Sequence, residues 1–280
     1  MHNSAAQKFS KRVEAWLIER GLSVFRPQTG LGFPEAGHSL SKNSDLILTI
    51  GGDGTIISIA RRLAGTNTPI AGINLGRVGF LPELHSGNWQ EALAGAIERG
   101  LSTDRRMVLD FEVRRKGAVV FSGVAVNDVV ISRGGLARLL AMDIYVKGKK
   151  LVYLRADGLI ISTPTGSTAY SSSAGGPILH PALNVYSVTA ICPFLAPHLP
   201  LVLGAEAELT ALILETSATT FATIDGQELF KLNPEDTLLV KGLPDGILFA
   251  SFGLADYFEK LQTAGFIKDS PGGPKSDALE

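Results

Sequence analysis

Gly51-Gly52-Asp53-Gly54-Thr55 sets one carboxylate among three glycines at the end of the apolar run 46–50. Glycine tolerates positive φ and lets an anion approach the backbone, and the free N–H groups of a helix start point at that anion. Gly51, Gly52, Gly54 and Thr55 therefore read as a phosphate-binding turn. A carboxylate in such a turn repels phosphate, so Asp53 needs a purpose. It would accept a proton from a substrate hydroxyl, or hold a magnesium ion or its water. The alternative is an ordinary Gly-Asp-Gly turn with Asp53 capping the next helix.

The segment 155–177 gathers small hydroxyls and glycines in the middle of a core-forming region, with Thr168, Ala169, Tyr170, Ser171, Ser172 and Ser173 in sequence. Hydroxyl and backbone donors and acceptors beside one aromatic face suit a planar heterocycle such as a nucleobase. A flexible surface loop is the competing reading, and Pro164 with its apolar flanks argues against it. Asn127-Asp128 interrupts the apolar run 124–131. Burying such groups without partners costs about 1–3 kcal/mol each, so they either satisfy themselves in a bulge or face a cleft and hold ribose hydroxyls or an adenine edge. Asp225-Gly226-Gln227 by itself reads as a turn.

Other chemistries find no support. The sequence has no Gly-x-x-x-x-Gly-Lys-Ser/Thr loop, no complete Gly-x-Gly-x-x-Gly fingerprint, no His-Glu-x-x-His and no paired-cysteine motif. His38, His85, His180 and His198 are scattered, Cys192/His198 is too sparse for zinc, and no metal ligand set is assigned to the protein itself. The net charge of −1 gives no global attraction to nucleic acid or anionic membrane, so phosphate recognition must be local. The single cysteine fits a reducing compartment, and no apolar run is long enough to span a bilayer. A soluble cytoplasmic protein is the expectation.

The elements that must position these residues follow from periodicity. Among the 280 residues, 45% are hydrophobic and 19% charged, ample for a packed core. Residues 9–20 read as an amphipathic helix and 22–25 as a short strand, followed by a Gly/Pro loop over 27–37. Strand 46–50, the glycine turn, a helix to residue 63, strand 69–74 and a helix over 88–99 make an α/β domain at 1–105. Its sheet is open, mostly parallel and Rossmann-like. From residue 106 to 252 short alternating strands predict an all-β, sandwich-like domain, with hairpin turns at Lys116-Gly117 and Lys147-Gly148. A helical segment over 253–269 should pack back on the first domain, and the tail 270–280 reads as disordered.

Taken together, the glycine turn, Gly72-Ile73-Asn74-Leu75-Gly76-Arg77-Val78-Gly79-Phe80-Leu81, Asn127-Asp128 and the 157–177 segment resemble the NAD kinase family over roughly residues 45–230. The turn alone is shared with diacylglycerol, sphingosine and phosphofructokinases, whereas 164–170 with Gly175-Gly176-Pro177 is more diagnostic. The resemblance implies a phosphotransferase moving the γ-phosphoryl of ATP to the 2′-hydroxyl of the adenosine ribose of NAD, giving NADP, with a divalent metal, magnesium by expectation. It implies that Asp53 accepts the hydroxyl proton and Gly54 lies against NAD. Asn127 and Asp128 would hold the adenosine part, while Thr168 to Ser173 form the base pocket. Asp157 would bind the carboxamide, Arg155 a phosphate, and Arg138 and Gln227 the rim. It also implies a homodimer or homotetramer. Two departures stand out: Asp128 replaces the family's usual Glu, and a strand that commonly precedes the first helix is not evident. Rival readings are a lipid kinase of the diacylglycerol type and a non-catalytic NAD- or NADP-binding module.

Overall fold

The computed structural model describes residues 4–26, 44–76, 79–135, 139–195, 200–214, 219–254 and 256–268. The expected 27–37 loop, His38, Arg138, His198 and the 270–280 tail lie outside them. The chain opens with α1 (Ser4–Ile18), then β1 (Ile47–Ile50), α2 (Asp53–Leu63), β2 (Ile70–Asn74), the short β3 (Leu84–His85) and α3 (Trp89–Arg99). Residues 22–25 form no strand. β1 pairs parallel with β2 from Ile47↔Ile70 to Ile50↔Ile73, and β2 pairs parallel with β3. Every residue of β2 is buried, as expected of a strand covered on both faces. Ile56, Ala60 and Leu63 of α2 pack against Ile70 and Phe249 on one side. Val13 and Trp16 of α1 and Trp89 and Leu93 of α3 close over Ile73 and Leu84.

Long antiparallel strands follow: β4 (Ser102–Arg115), β5 (Ala118–Ala125), β6 (Asp128–Gly134), β7 (Leu140–Val146), β8 (Lys149–Ala156) and β9 (Gly158–Ser162). A 3₁₀ turn (Thr165–Thr168) and the one-turn α4 (Tyr170–Ser173) interrupt them. The chain resumes with β10 (Val185–Ile191), β11 (Leu201–Gly204), β12 (Leu209–Ile213), β13 (Thr219–Ile224), β14 (Glu228–Leu232), β15 (Thr237–Ser251) and α5 (Tyr257–Thr263). Both expected hairpins form, with Lys116-Gly117 and Lys147-Gly148 at positive φ, the conformation that fits the strand twist.

The parallel strands join the antiparallel ones in one sheet ordered β1-β2-β15-β12-β7-β8, with β3 on β2 and β4 bridging β15 to β5. A second sheet runs β11-β10-β9-β6-β13-β14. The two are packed through Leu109, Phe111 and Leu238 of one and Ile131, Leu159 and Tyr186 of the other, which gives the expected sandwich. The parallel part is short, because β15 meets β2 at Phe249↔Ile70 and otherwise pairs antiparallel with β4 and β12. β15 runs unbroken from Thr237 to Ser251, with a register shift between Leu243 and Ile247. Pro244 lies in that gap; it has no N–H to give the ladder, which explains the local break. α5 turns back on the first part: Lys260 Nζ donates to the Phe80 carbonyl (3.3 Å), and Phe266 meets the Phe80 ring edge-on.

Candidate active site

The glycine turn ends β1 and leads directly into α2. Gly51 alone of its three glycines takes a positive φ, and a Cβ there would meet Thr55 Oγ1 at 2.6 Å. Gly52 is extended and caps α2, while Gly54 sits inside the first helical turn. Asp53 is the first helical residue, so its carboxylate does not cap the helix. It crosses to the 79–81 loop instead, accepting the Phe80 N–H at Oδ2 (3.0 Å) and the Leu81 N–H at Oδ1 (3.3 Å). A Cβ on Gly79 would collide with that carboxylate, so only glycine leaves it room. A carboxylate has about four acceptor positions, and two are filled here, so it retains capacity for a hydroxyl.

Gly54 leads to the second sheet. Its carbonyl accepts Gln227 Nε2 (2.7 Å), and Arg61, two turns along α2, donates to Gln227 Oε1 (3.2 Å). Arg61 also pairs with Glu228 (3.0 Å) and approaches the fully buried Asp225 carboxylate (3.5 Å). Asp225 takes φ +52 and folds back so that its oxygens accept the N–H groups of Val126, Asn127 and Asp128 (2.7–3.1 Å). Asn127 in turn receives the Thr163 N–H on its carbonyl (2.8 Å), and Thr163 Oγ1 donates to Val126 O (2.6 Å). Gly166 lies flat against the Asn127 backbone, where any Cβ would clash. The result is a continuous set of contacts from Asp53 and Gly54 through the 225–227 turn and Asn127-Asp128 to the 163–168 turn.

Two buried acids lie within this set. Burial first, and the Asp225 charge second, push the Asp128 carboxyl up to about 7. Burial also raises Asp225, while its three backbone donors and Arg61 act against that. Behind the 79–81 loop, Phe80, Leu81, Pro164, Thr165 and Thr168 share the wall of a cavity of about 430 Å³. The loop that holds Asp53 and the hydroxyl-rich turn therefore face one space.

Comparison with known proteins decides the family. The family model for the ATP-NAD kinase N-terminal domain matches residues 34–101, and that for the ATP-NAD kinase C-terminal domain matches 126–244. The chain is 46% identical to the NAD kinase of Nitratidesulfovibrio vulgaris over 267 residues, covering 94% of this chain and 93% of that one. This chain belongs to the NAD kinase family. The NAD kinase of Geotalea daltonii is 35% identical, with 94% of each chain covered. Among solved structures, yeast NADH kinase complexed with NADH superposes with a TM-score of 0.77 at 27% identity, over 85% of this chain and 71% of that one. The NAD kinase from Archaeoglobus fulgidus in complex with ATP gives 0.74 at 26% identity, over 91% and 93%.

Within this NAD kinase fold the sequence-derived residues divide into two groups. Asp53, Gly54, Asn127, Asp128, Thr168 and Gln227 come together in the contact set or along its cavity. Tyr170 is 48% exposed at the start of α4. Ser171 is buried with its hydroxyl 3.4 Å from that of Ser187, and Ser172 donates to Ala169 O (2.8 Å), so both hydroxyls serve the local fold. Arg155 and Asp157 lie elsewhere. Asp157 precedes β9 at its opposite end, roughly 17 Å along the five-residue strand from Ser162, and pairs with Arg133 Nε at 2.7 Å. Arg155 lies over the Phe194 ring. Sequence reasoning missed Arg61 and the acceptor role of Asp225. The one available signal was an Asp-Gly pair directly after a strand.

Proposed function

We propose that this chain is an NAD kinase that uses ATP to phosphorylate the 2′-hydroxyl of the adenosine ribose of NAD. The observation that carries the reading is the closed contact set in which a single acid, Asp53, lies between a helix-start glycine turn and a hydroxyl-rich turn. Phosphoryl transfer asks a protein mainly for alignment and charge neutralisation. Asp53 would orient the 2′-hydroxyl. As the new O–P bond forms and the bond from the γ-phosphorus to the bridging oxygen breaks, the electron pair leaves with ADP and the hydroxyl proton passes late to Asp53. An ordinary Asp is a weak base toward a ribose hydroxyl, so its positioning matters more than ground-state deprotonation. Gly54, Asn127 and Asp128 would hold the adenosine, with Thr168, Ala169 and Tyr170 around the base and Gln227 at the rim. Gly51, Gly52 and Thr55 would meet phosphate.

A magnesium ion fits this donor set in one way. Among the described residues no group of three His, Cys, Asp or Glu side chains could hold a metal. Magnesium is commonly carried by substrate phosphates with one or two carboxylates, and Asp53 is the carboxylate available for it. When bound, the ion would neutralise charge on the transferring phosphate.

The reading includes assembly and location. Arg155 and Asp157 would meet dinucleotide supplied across a homodimer or homotetramer contact, supported by Phe194 and Leu195 exposed beside them at 45% and 88%. No described helix is long and apolar enough to cross a membrane, and we place the enzyme in the cytoplasm. Incubating the purified chain with NAD, ATP and magnesium and measuring NADP with an NADP-specific dehydrogenase tests the activity. Steady NADP formation is expected. NAD binding without NADP would favour the non-catalytic module instead.

A further inference from the structure

The end of α5 turns the C-terminal segment onto the loop that holds Asp53. Gly265, at φ +80, lets its own N–H reach Gln262 O and the Phe266 N–H reach Leu261 O, both at 2.9 Å, which closes the helix in a Schellman turn. Phe266 then meets the Phe80 ring edge-on, with centroids 5.6 Å apart. Inside the helix, half-buried Lys260 donates from Nζ to the Phe80 carbonyl (3.3 Å). That carbonyl shares a trans peptide unit with the Leu81 N–H, which donates to Asp53 Oδ1 (3.3 Å). In a trans peptide the two groups point to opposite sides. Lys260 therefore grips from behind the peptide that Leu81 presents to Asp53.

Tyr257 stands three residues before Lys260, on the same side of the helix. Its hydroxyl donates to Leu179 O (3.0 Å), and its ring meets His180 edge-on with centroids 5.1 Å apart. Leu179 belongs with the hydroxyl-rich turn: its N–H donates to Ser167 Oγ (3.0 Å), and Ser167 is fully buried between Gly166 and Thr168. Gly166 is the residue that lies against the Asn127 backbone. One seven-residue helix thus bonds both the loop behind Asp53 and the turn that packs on Asn127. A misplacement of about 1 Å by a residue remote from the chemistry can cost on the order of 10²-fold in rate, so a link of this kind acts on turnover.

We propose that α5 is a strap that sets Asp53 against the hydroxyl-rich turn, with Lys260 and Tyr257 as its positioning residues. The inference rests on the phosphotransfer reading and concerns alignment, not substrate affinity. NADP formation by the full chain is followed at varied NAD and ATP with magnesium. Lys260→Met should lower kcat about tenfold and leave the KM for each substrate within about twofold of wild type. Lys260→Arg keeps a charged donor and should recover kcat to within about threefold. Tyr257→Phe keeps the ring against His180 and removes only the bond at the far end of the strap. It should lower kcat as well, and it should speed amide hydrogen exchange at Phe80 and Leu81, read by NMR. Because the two ends act as one unit, Tyr257→Phe/Lys260→Met should be no slower than the slower single variant. Tyr257→Phe carries the test by itself if Lys260→Met does not fold. Additive losses, unchanged exchange at Phe80 and Leu81, or a raised KM for ATP with kcat kept, overturns the proposal. A wild type that makes no NADP would defeat the kinase reading, and faster exchange in Tyr257→Phe would leave the strap standing.

Discussion

Asp128 is the acid with most to lose from its surroundings. Its folded pKa of about 7 lies above the ordinary 3.8, so between about pH 4 and 7 the folded chain holds a proton that the unfolded chain has released. Stability therefore falls as pH rises through that window and is level above it. Asp128→Asn removes the charge, so its melting temperature should exceed wild type at pH 8, with the gain vanishing toward pH 4. Thermal melts at both pH values check this, and equal melts at pH 8 would show that the charge carries no cost. Gly166→Ala tests close approach: its Cβ would force the Asn127 backbone away. Calorimetry should show NAD affinity reduced by about tenfold or more. Asp53 was legible in the sequence because a lone acid among glycines is locally odd. Asp225 was not, because its role depends on φ +52 and on N–H groups 97 to 99 residues away in the chain.

Arg61 shows how α2 is locked to the second sheet. It faces Asp225, Gln227 and Glu228 with a side chain only 12% exposed. Breaking a buried pair leaves a charge uncompensated, so Arg61→Met should cost about 3 kcal/mol, read by denaturant unfolding. Turnover should fall with it, because α2 carries Asp53 and Gly54 at its start. A stability unchanged within error would mean that the backbone donors alone satisfy Asp225. The elements themselves were mostly readable: α2, β2 and the hairpins announce themselves by period and turn residues. β10 buries Ser187 and Thr189 among its apolar residues. Within β15, Pro244 interrupts the pattern while the pairing with β4 continues on either side.

Across the whole molecule, two packed sheets and a returning C-terminal helix bring Asp53, Gly54, Asn127, Asp128, Thr168 and Gln227 together from distant parts of the sequence, and they leave Arg155 and Asp157 at the other end of β9. That separation could not be read from the sequence, where Asp157 stands only 11 residues before Thr168. Size-exclusion with light scattering should find a dimer or tetramer, and a monomer at assay concentrations would leave Asp157 without dinucleotide to contact. The kinase account itself turns on Asp53. Asp53→Asn should bind NAD within about threefold of wild type while NADP formation falls roughly 10²–10⁴-fold. A variant that makes NADP at the wild-type rate would contradict the account.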